Sequence, residues 1–314
     1  MPDASVPRTD ASAWTFVRVE TRGANEKVWL RDEETGSNWL FKPRSQHSDG
    51  SAQIGDWVEW ASSEVAALVG VPSATVRLGQ RGGQLGCLSL NVAPSNTWEV
   101  HSGRLWLDDL PNVSYSSVAA SLSKRVKGAS PGHTIENVRV ALDGLEAPPG
   151  TTPQLTGWDV FVGFLLLDAL TSNRDRHEEN WSVMLPLRGL GALAPTYDME
   201  NGLGFQLSDN KRAELLARPE ALDKFLARGT AYRFDGDQGT SLVDLVVSAL
   251  DSCSEAGRVW LGSVLAKAET VDFAELLRPA DGVSEVAVSF AQVVLGKNVR
   301  RMRDAYDDRE HARG

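Results

Sequence analysis

The residues of this chain best suited to chemistry lie in Asn173-Arg174-Asp175-Arg176-His177-Glu178-Glu179-Asn180. Tyr197-Asp198 follows after a second apolar stretch at 191–195. Asp175 and Asn180 are five positions apart in a polar segment directly behind a long apolar run at 158–170. Phosphoryl transfer needs a carboxylate that accepts or orients the acceptor hydroxyl. It also needs oxygen ligands for Mg²⁺, which bridges nucleotide phosphates and offsets their charge. Asp175 is the candidate for the first task, and Asn180 and Asp198 are the candidate metal ligands. Asp, Asn and Arg also crowd helix ends for local hydrogen bonding, so spacing alone leaves both readings open. His177 has no H-E-x-x-H or C-x-x-C partner set, which argues against zinc. It is expected to brace the catalytic loop, with Arg176 pairing with a nearby carboxylate.

A second half of such a site lies upstream. Gly23-Ala24-Asn25-Glu26-Lys27 is a glycine turn between two strand-like runs, and its N–H groups can face phosphates. It matches neither G-x-G-x-x-G nor a Walker loop, and most such turns only reverse the chain. Lys42 ends the strand-like run Asn38-Trp39-Leu40-Phe41-Lys42-Pro43, where its stem can cover apolar surface while its ammonium reaches inward as a phosphate clamp. A glutamate on the following helix would orient such a lysine, and Glu59 and Glu64 are both available. The apolar stripe Val58, Ala61, Val65, Leu68 and Val69 favours Glu64, which lies nearer the buried edge at about 100° per residue.

The elements that must position these groups divide unevenly. Residues 1–13 are polar, lack the apolar core of a signal peptide and read as a disordered tail. Residues 14–93 carry three short strands in a meander, a helix from Asp56 to about Val69 ended by Gly70 and Pro72, and two more strands. Ala93-Pro94-Ser95-Asn96 is a break that marks a hinge. Residues 94–314 turn helical, with candidates at 114–124, 134–142, 158–170, 211–226, 241–250 and 283–306, and few strand signals. The expectation is an α+β, two-lobed, protein-kinase-like fold with a β-rich N-lobe and a mainly helical C-lobe.

Bulk composition fits that picture. The chain has 314 residues, 42% hydrophobic and 24% charged, enough for two lobes that each bury a core. A formal charge of −10 gives no basic footprint for nucleic acid or an anionic membrane, so neither is expected as a partner. The run at 158–170 is interrupted by Asp159 and Asp168 and is too short to span a bilayer. Cys87 and Cys253 form no metal-type pair and fit a reducing compartment, so the cytoplasm is the expected location.

The D-x-x-x-x-N spacing is that of the protein kinase catalytic loop, with Asp198-Met199-Glu200 in place of D-F-G. The strings N-R-D-R-H-E-E-N-W and A-P-T-Y-D-M-E-N-G-L-G-F, with R-G-A-N-E-K-V-W-L, W-L-F-K-P and E-W-A-S-S-E-V-A-A-L-V-G-V-P upstream, resemble the HipA-like serine/threonine kinases. More distantly they are similar to phosphatidylinositol kinases, which share a D-R-x-x-x-N loop. The resemblance implies ATP and Mg²⁺ as cofactors, Asp175 as catalytic base, Asn180 and Asp198 as metal ligands and Lys42 as the nucleotide lysine. It makes residues 23–27, including Gly23, Ala24, Asn25 and Lys27, the phosphate loop, and it favours Glu59 over Glu64. A serine or threonine hydroxyl of a protein is the leading expected acceptor, with autophosphorylation and a cognate inhibitor or antitoxin as further expectations, although the resemblance does not by itself imply a protein substrate. The chain is shorter than the full toxin kinases, so toxin activity does not follow. The same core serves lipid or small-molecule kinases, and a nucleotide-binding pseudokinase or partner-binding module is the non-catalytic alternative.

Overall fold

The computed structural model describes residues 5–20, 27–46, 53–123, 128, 130–152 and 154–312. Strands β1 (Thr9–Asp10), β2 (Thr15–Glu20), β3 (Lys27–Arg31) and β4 (Asn38–Pro43) precede helix α1 (Gly55–Val69), and β5 (Val76–Arg81) and β6 (Gln84–Leu90) follow it. They form one sheet in the order β1-β5-β6-β4-β3-β2. All pairings are antiparallel except β1 with β5. Alternation in β4 explains its two roles. Trp39 and Phe41 join Leu30 and Leu88 in a small core on one face, while Lys42 is buried opposite Cys87.

The expected tail is part of this sheet over its described residues. Val6 is buried, β1 pairs with β5, and Arg8 bonds the Asp56 carboxylate at 3.2 Å and the Gly86 carbonyl at 3.0 Å. A polar segment reads as a tail when the buried anion that anchors it lies 48 residues away. Arg44 reaches the same Asp56 at 2.9 and 3.0 Å. Asp56 is therefore an ion-pair partner inside the first turn of α1. The other end of that helix is as expected, with Gly70 in the left-handed region (φ 87°) and its N–H on the Ala66 carbonyl.

The C-terminal region is helical. It contains α2 (Gly103–Asp109), α3 (Ser117–Ser123), α4 (Ile135–Ala141), α5 (Gly157–Thr171), α6 (Asp209–Leu216), α7 (Pro219–Ala227), α8 (Leu242–Leu250), α9 (Glu255–Thr270), α10 (Phe273–Leu276) and α11 (Glu285–His311). The helix expected at 211–226 is two, because Pro219 cannot donate into a continuing helix and instead opens α7. Helices α2 and α9 and a second sheet, β7 (Trp98–Ser102), β8 (Ser182–Pro186) and β9 (Ala192–Leu193) in the order β7-β8-β9, were not expected. The result is a mixed α+β molecule with a β-sheet N-terminal region and a helical C-terminal one. Among the described residues no helix is long and apolar enough to cross a membrane.

Helix α5 is the internal post of the C-terminal region. It is buried along its whole length, starts in a Thr156–Asp159 capping box and packs on α8, α9 and α11. At its end the Asn298 amide of α11 donates to the Leu170 carbonyl at 3.0 Å and to Ser172 Oγ at 2.8 Å. The chain leaves α5 through Ser172 in the left-handed region (φ 56°), so its exit direction is fixed where the segment 173–180 begins. Behind that loop Trp181 is fully buried, and a Cβ on Gly103 would lie 2.2 Å from its ring. Gly103→Ala is therefore expected to lower stability by roughly 1–3 kcal/mol. Gly239→Ala, with no atom within 4 Å of the added Cβ, should stay close to wild type. Urea unfolding followed by tryptophan fluorescence checks both.

Candidate active site

The segment 173–180 is closed on itself by side chains. Asn173 Nδ2 donates to Asp168 Oδ1 at 2.7 Å, and Asp175 N–H donates to Asn173 Oδ1 at 3.2 Å. The Arg176 guanidinium takes both oxygens of Asp168 at 2.8 Å and the Asn180 carbonyl at 2.7 Å. This is the expected Arg176–carboxylate pair, and its partner sits on the last turn of α5. Burial pushes the Asp168 carboxyl up, and Arg176 pulls against that shift. Asn180 Nδ2 donates to the Asp175 carbonyl at 2.8 Å. The donor end of that amide is thus used within the loop, leaving Oδ1 as the atom able to ligate a cation. His177 Nδ1 accepts from the Glu179 N–H at 3.2 Å, and its Nε2 lies 3.9 Å from Asp175 Oδ2.

A second cluster forms where β4, α1 and the segment after β9 meet. Lys42 Nζ donates to both Glu59 oxygens at 2.7 Å and to Asp198 Oδ1 at 2.8 Å. Lys27 Nζ is 3.6 Å from Asp198 Oδ2. Gly23, Ala24 and Asn25 of the expected phosphate loop lie outside the described residues. Burial alone would lower the Lys42 ammonium, but Asp198 and Glu59 outweigh it and hold it well above the usual lysine range. Burial likewise works to raise Asp198, and Lys42 and Lys27 hold it well below the usual carboxylate range. Asp198 adopts φ 59°, a left-handed conformation that costs a non-glycine residue of order 1–3 kcal/mol and persists only where surrounding contacts fix it.

The lysine partner is Glu59, and the periodicity argument for Glu64 is corrected. Helix α1 packs on β5 and β6 and also on α9, so its polar residues Asp56, Glu59, Ser62 and Ser63 are buried as well. An amphipathic stripe marks the inward face only when the other face meets water. Glu59 is fully buried, whereas Glu64 is only half-buried, with its carboxyl raised by desolvation against the pull of Arg278.

Several residues of the site carry no local sequence signal. Asn201 Nδ2 donates to Asp175 Oδ2 at 2.9 Å and so ties the Asp198 segment to the catalytic loop. Arg233 Nε and the Tyr232 hydroxyl meet Asp175 Oδ1 at 2.5 and 3.3 Å, from 58 and 57 residues away. Glu200 completes a group with Glu59 and Asp198 in which one oxygen of each lies within 4.8 Å of the others. Burial, followed by the Asp198 charge, pushes the Glu200 carboxyl up to about 7. Its place two residues after Asp198 was the only available hint.

Comparison with known proteins follows this geometry. No family model matches the chain. The "Putative kinase Y4dM" of Sinorhizobium fredii is 24% identical over 223 residues, which is 64% of this chain. The chain spans about half of that relative, 52% of its length. The crystal structure of the Helicobacter pylori proinflammatory kinase CtkA superimposes with a TM-score of 0.70 at 16% identity, covering 96% of this chain and 98% of CtkA. HipA of Shewanella oneidensis, solved with HipB and operator DNA, superimposes with a TM-score of 0.50 at 14% identity, over 93% of this chain and 66% of HipA. The chain has the HipA-like kinase fold. Within that fold, Lys42, Glu59 and Asp198 form one cluster, Asp175, His177 and Asn180 form the other, and Asn201 joins them.

Two outcomes follow for the Lys42 cluster. Glu59→Gln is expected to lower stability by roughly 1.5–3 kcal/mol, since it removes a charge-assisted pair with the buried Lys42. Glu64→Gln should stay within about 0.5 kcal/mol of wild type. Urea unfolding compares them. Glu200, raised from 4.5 to about 7, binds more protons folded than unfolded between those values. Its contribution to stability is therefore full below about pH 4.5 and lost as pH rises through 7. The urea midpoint of nucleotide-free protein should fall over that window, and less steeply in Glu200→Gln.

Proposed function

We propose that this protein is a kinase that transfers the γ-phosphoryl group of ATP, with Mg²⁺, to a serine or threonine hydroxyl of a protein. The observation that carries this reading is Lys42 Nζ set between Glu59 and Asp198, in a site tied through Asn201 to the loop that bears Asp175. A buried cation oriented by a helix glutamate is suited to the α and β phosphates, and Lys27 Nζ lies 3.6 Å from the other Asp198 oxygen. The donor set fits Mg²⁺, because hard carboxylate oxygens of Asp198, Glu59 and Glu200 converge and Asn180 Oδ1 is unspent. Asp198 and Asn180 are the residues that would hold the ion. When bound, it would neutralise charge that develops on the phosphates.

The remaining roles belong to the chain itself. Asp175 orients the acceptor hydroxyl and takes its proton. His177 and the Arg176–Asp168 pair keep the loop in one shape, so catalysis is chiefly positional and electrostatic. The protein acceptor, with autophosphorylation as a second outlet, rests on the resemblance to HipA-like kinases. A cognate protein partner belongs to the same proposal, since the HipA structure contains HipB. A cytoplasmic location fits two buried cysteines, Cys87 and Cys253, that form no disulfide.

In a phosphotransfer assay with γ-labelled ATP and whole-cell lysate, Asp175→Asn is expected to lose 10²–10⁴-fold in rate. It should keep the thermal stabilisation given by Mg·ATP. Asp198→Asn should lose both. Undiminished transfer by Asp175→Asn would remove Asp175 from its role. Labelling of lipid or small alcohols instead of protein would correct the acceptor class.

A further inference from the structure

The Asp175 carboxylate is already held on both of its oxygens. Oδ1 accepts from Arg233 Nε at 2.5 Å and from the Tyr232 hydroxyl at 3.3 Å, and Oδ2 accepts from Asn201 Nδ2 at 2.9 Å. An ionised carboxylate offers about four acceptor positions, two on each oxygen. Among the described residues, both positions on Oδ1 are therefore used and one remains on Oδ2. The His177 Nε2 at 3.9 Å from Oδ2 is beyond hydrogen-bond reach and does not take it.

The donors on Oδ1 are fixed in turn. Arg233 Nη1 donates to the Gly128 carbonyl at 2.8 Å, and the Arg233 and Arg174 guanidinium groups lie 4.8 and 4.9 Å from the centre of the Tyr232 ring. Arg174 is anchored on Thr230 Oγ1 at 3.2 Å. On the far side of Arg233, Phe234 stacks on His133 at 4.7 Å, Asp235 N–H donates to the His133 carbonyl at 2.8 Å, and the Trp181 indole N–H reaches His133 Nε2 at 3.3 Å. The segment 230–235 is thus built against His133, which in turn meets Trp181, the residue after the loop.

We infer that Arg233 and Tyr232 are positioning residues that fix the Asp175 carboxylate and direct the incoming hydroxyl to the single acceptor position left on Oδ2. This rests on the kinase reading above. A planar guanidinium that donates through Nε to Asp175 and through Nη1 to a backbone carbonyl sets direction as well as charge, which an ammonium cannot reproduce. The alternative, in which Arg233 blocks the base and must leave before transfer, makes the opposite forecast for its removal.

The full-length protein and its Arg233→Ala, Arg233→Lys and Tyr232→Phe variants would be assayed with γ-labelled ATP and a degenerate serine- and threonine-containing peptide library as acceptor. For Arg233→Ala the expected result is a kcat lower by about tenfold or more, with KM for ATP within about twofold. Added guanidinium ion should restore part of kcat in Arg233→Ala, a response that a merely structural loss would not show. Arg233→Lys should recover less than full activity, and Tyr232→Phe should lose about threefold to tenfold in kcat alone. Unchanged or raised kcat in Arg233→Ala overturns the inference, and so does a loss without guanidinium rescue in which KM for ATP rises in step. If Arg233→Ala does not fold, Tyr232→Phe decides, and wild-type kcat in that variant overturns the inference. Absence of transfer by the wild-type protein overturns the kinase reading and this inference with it, an outcome separable from the others because every variant is compared with an active parent.

Discussion

A lysine ammonium taken out of water must be met by opposite charge, and Lys42 is met by two carboxylates at once, Glu59 and Asp198. Deleting one partner of such a buried arrangement leaves an uncompensated charge and typically costs 3–5 kcal/mol. This requirement links parts of the chain that lie far apart in sequence. β4 supplies the cation, α1 supplies the first anion from 17 residues away, and the segment after β9 supplies the second from 156 residues away. The left-handed Asp198 is tolerated because Lys42 and Lys27 both attract its carboxylate. Glu200, brought close by the same turn, is pushed toward its neutral form by burial and by the Asp198 charge, against the pull of Lys42 and Lys27.

The catalytic loop depends on a different support. Asp168 at the end of α5 receives Arg176, Asn173 and Asn180 close the loop locally, and Asn298 of α11 fixes the turn from which the loop departs. Asn201 then connects this loop to the Lys42 cluster through Asp175. Tyr197, next to Asp198, adds a second link by donating to the Glu179 carbonyl at 3.1 Å. Under the proposed kinase reading, the Asp175 carboxylate and the Lys42 ammonium are held in a defined relation by these ties.

What the sequence revealed of this site follows a physical rule. Lys42, Asp175, Asn180 and Asp198 stand out as candidates because Lys42 and Asp198 end or follow apolar runs, Asp175 and Asn180 share the polar segment behind one, and their order along the chain is informative. Glu59 was misjudged from periodicity because α1 is buried on both faces, where hydrophobic stripes lose their meaning. Arg233 and Tyr232 were invisible because their partner lies more than 50 residues away and no local pattern marks the contact. The same non-locality hid β7, which pairs with β8 some 80 residues on, and made residues 5–13 look like a tail although Arg8 is anchored on Asp56. Pro219, by contrast, was a local signal that the longer apolar pattern at 211–226 overrode.

The most direct test of the central claim is a crystal structure of the protein with Mn²⁺ and a non-hydrolysable ATP analogue, the metal located by its anomalous signal. The account predicts a metal peak at the Asp198 carboxylate with Asn180 Oδ1 among its ligands, and Lys42 Nζ within hydrogen-bond distance of the α or β phosphate while still paired with Glu59. A nucleotide bound elsewhere, with Lys42 unchanged between Glu59 and Asp198 and no metal beside Asn180, would contradict it.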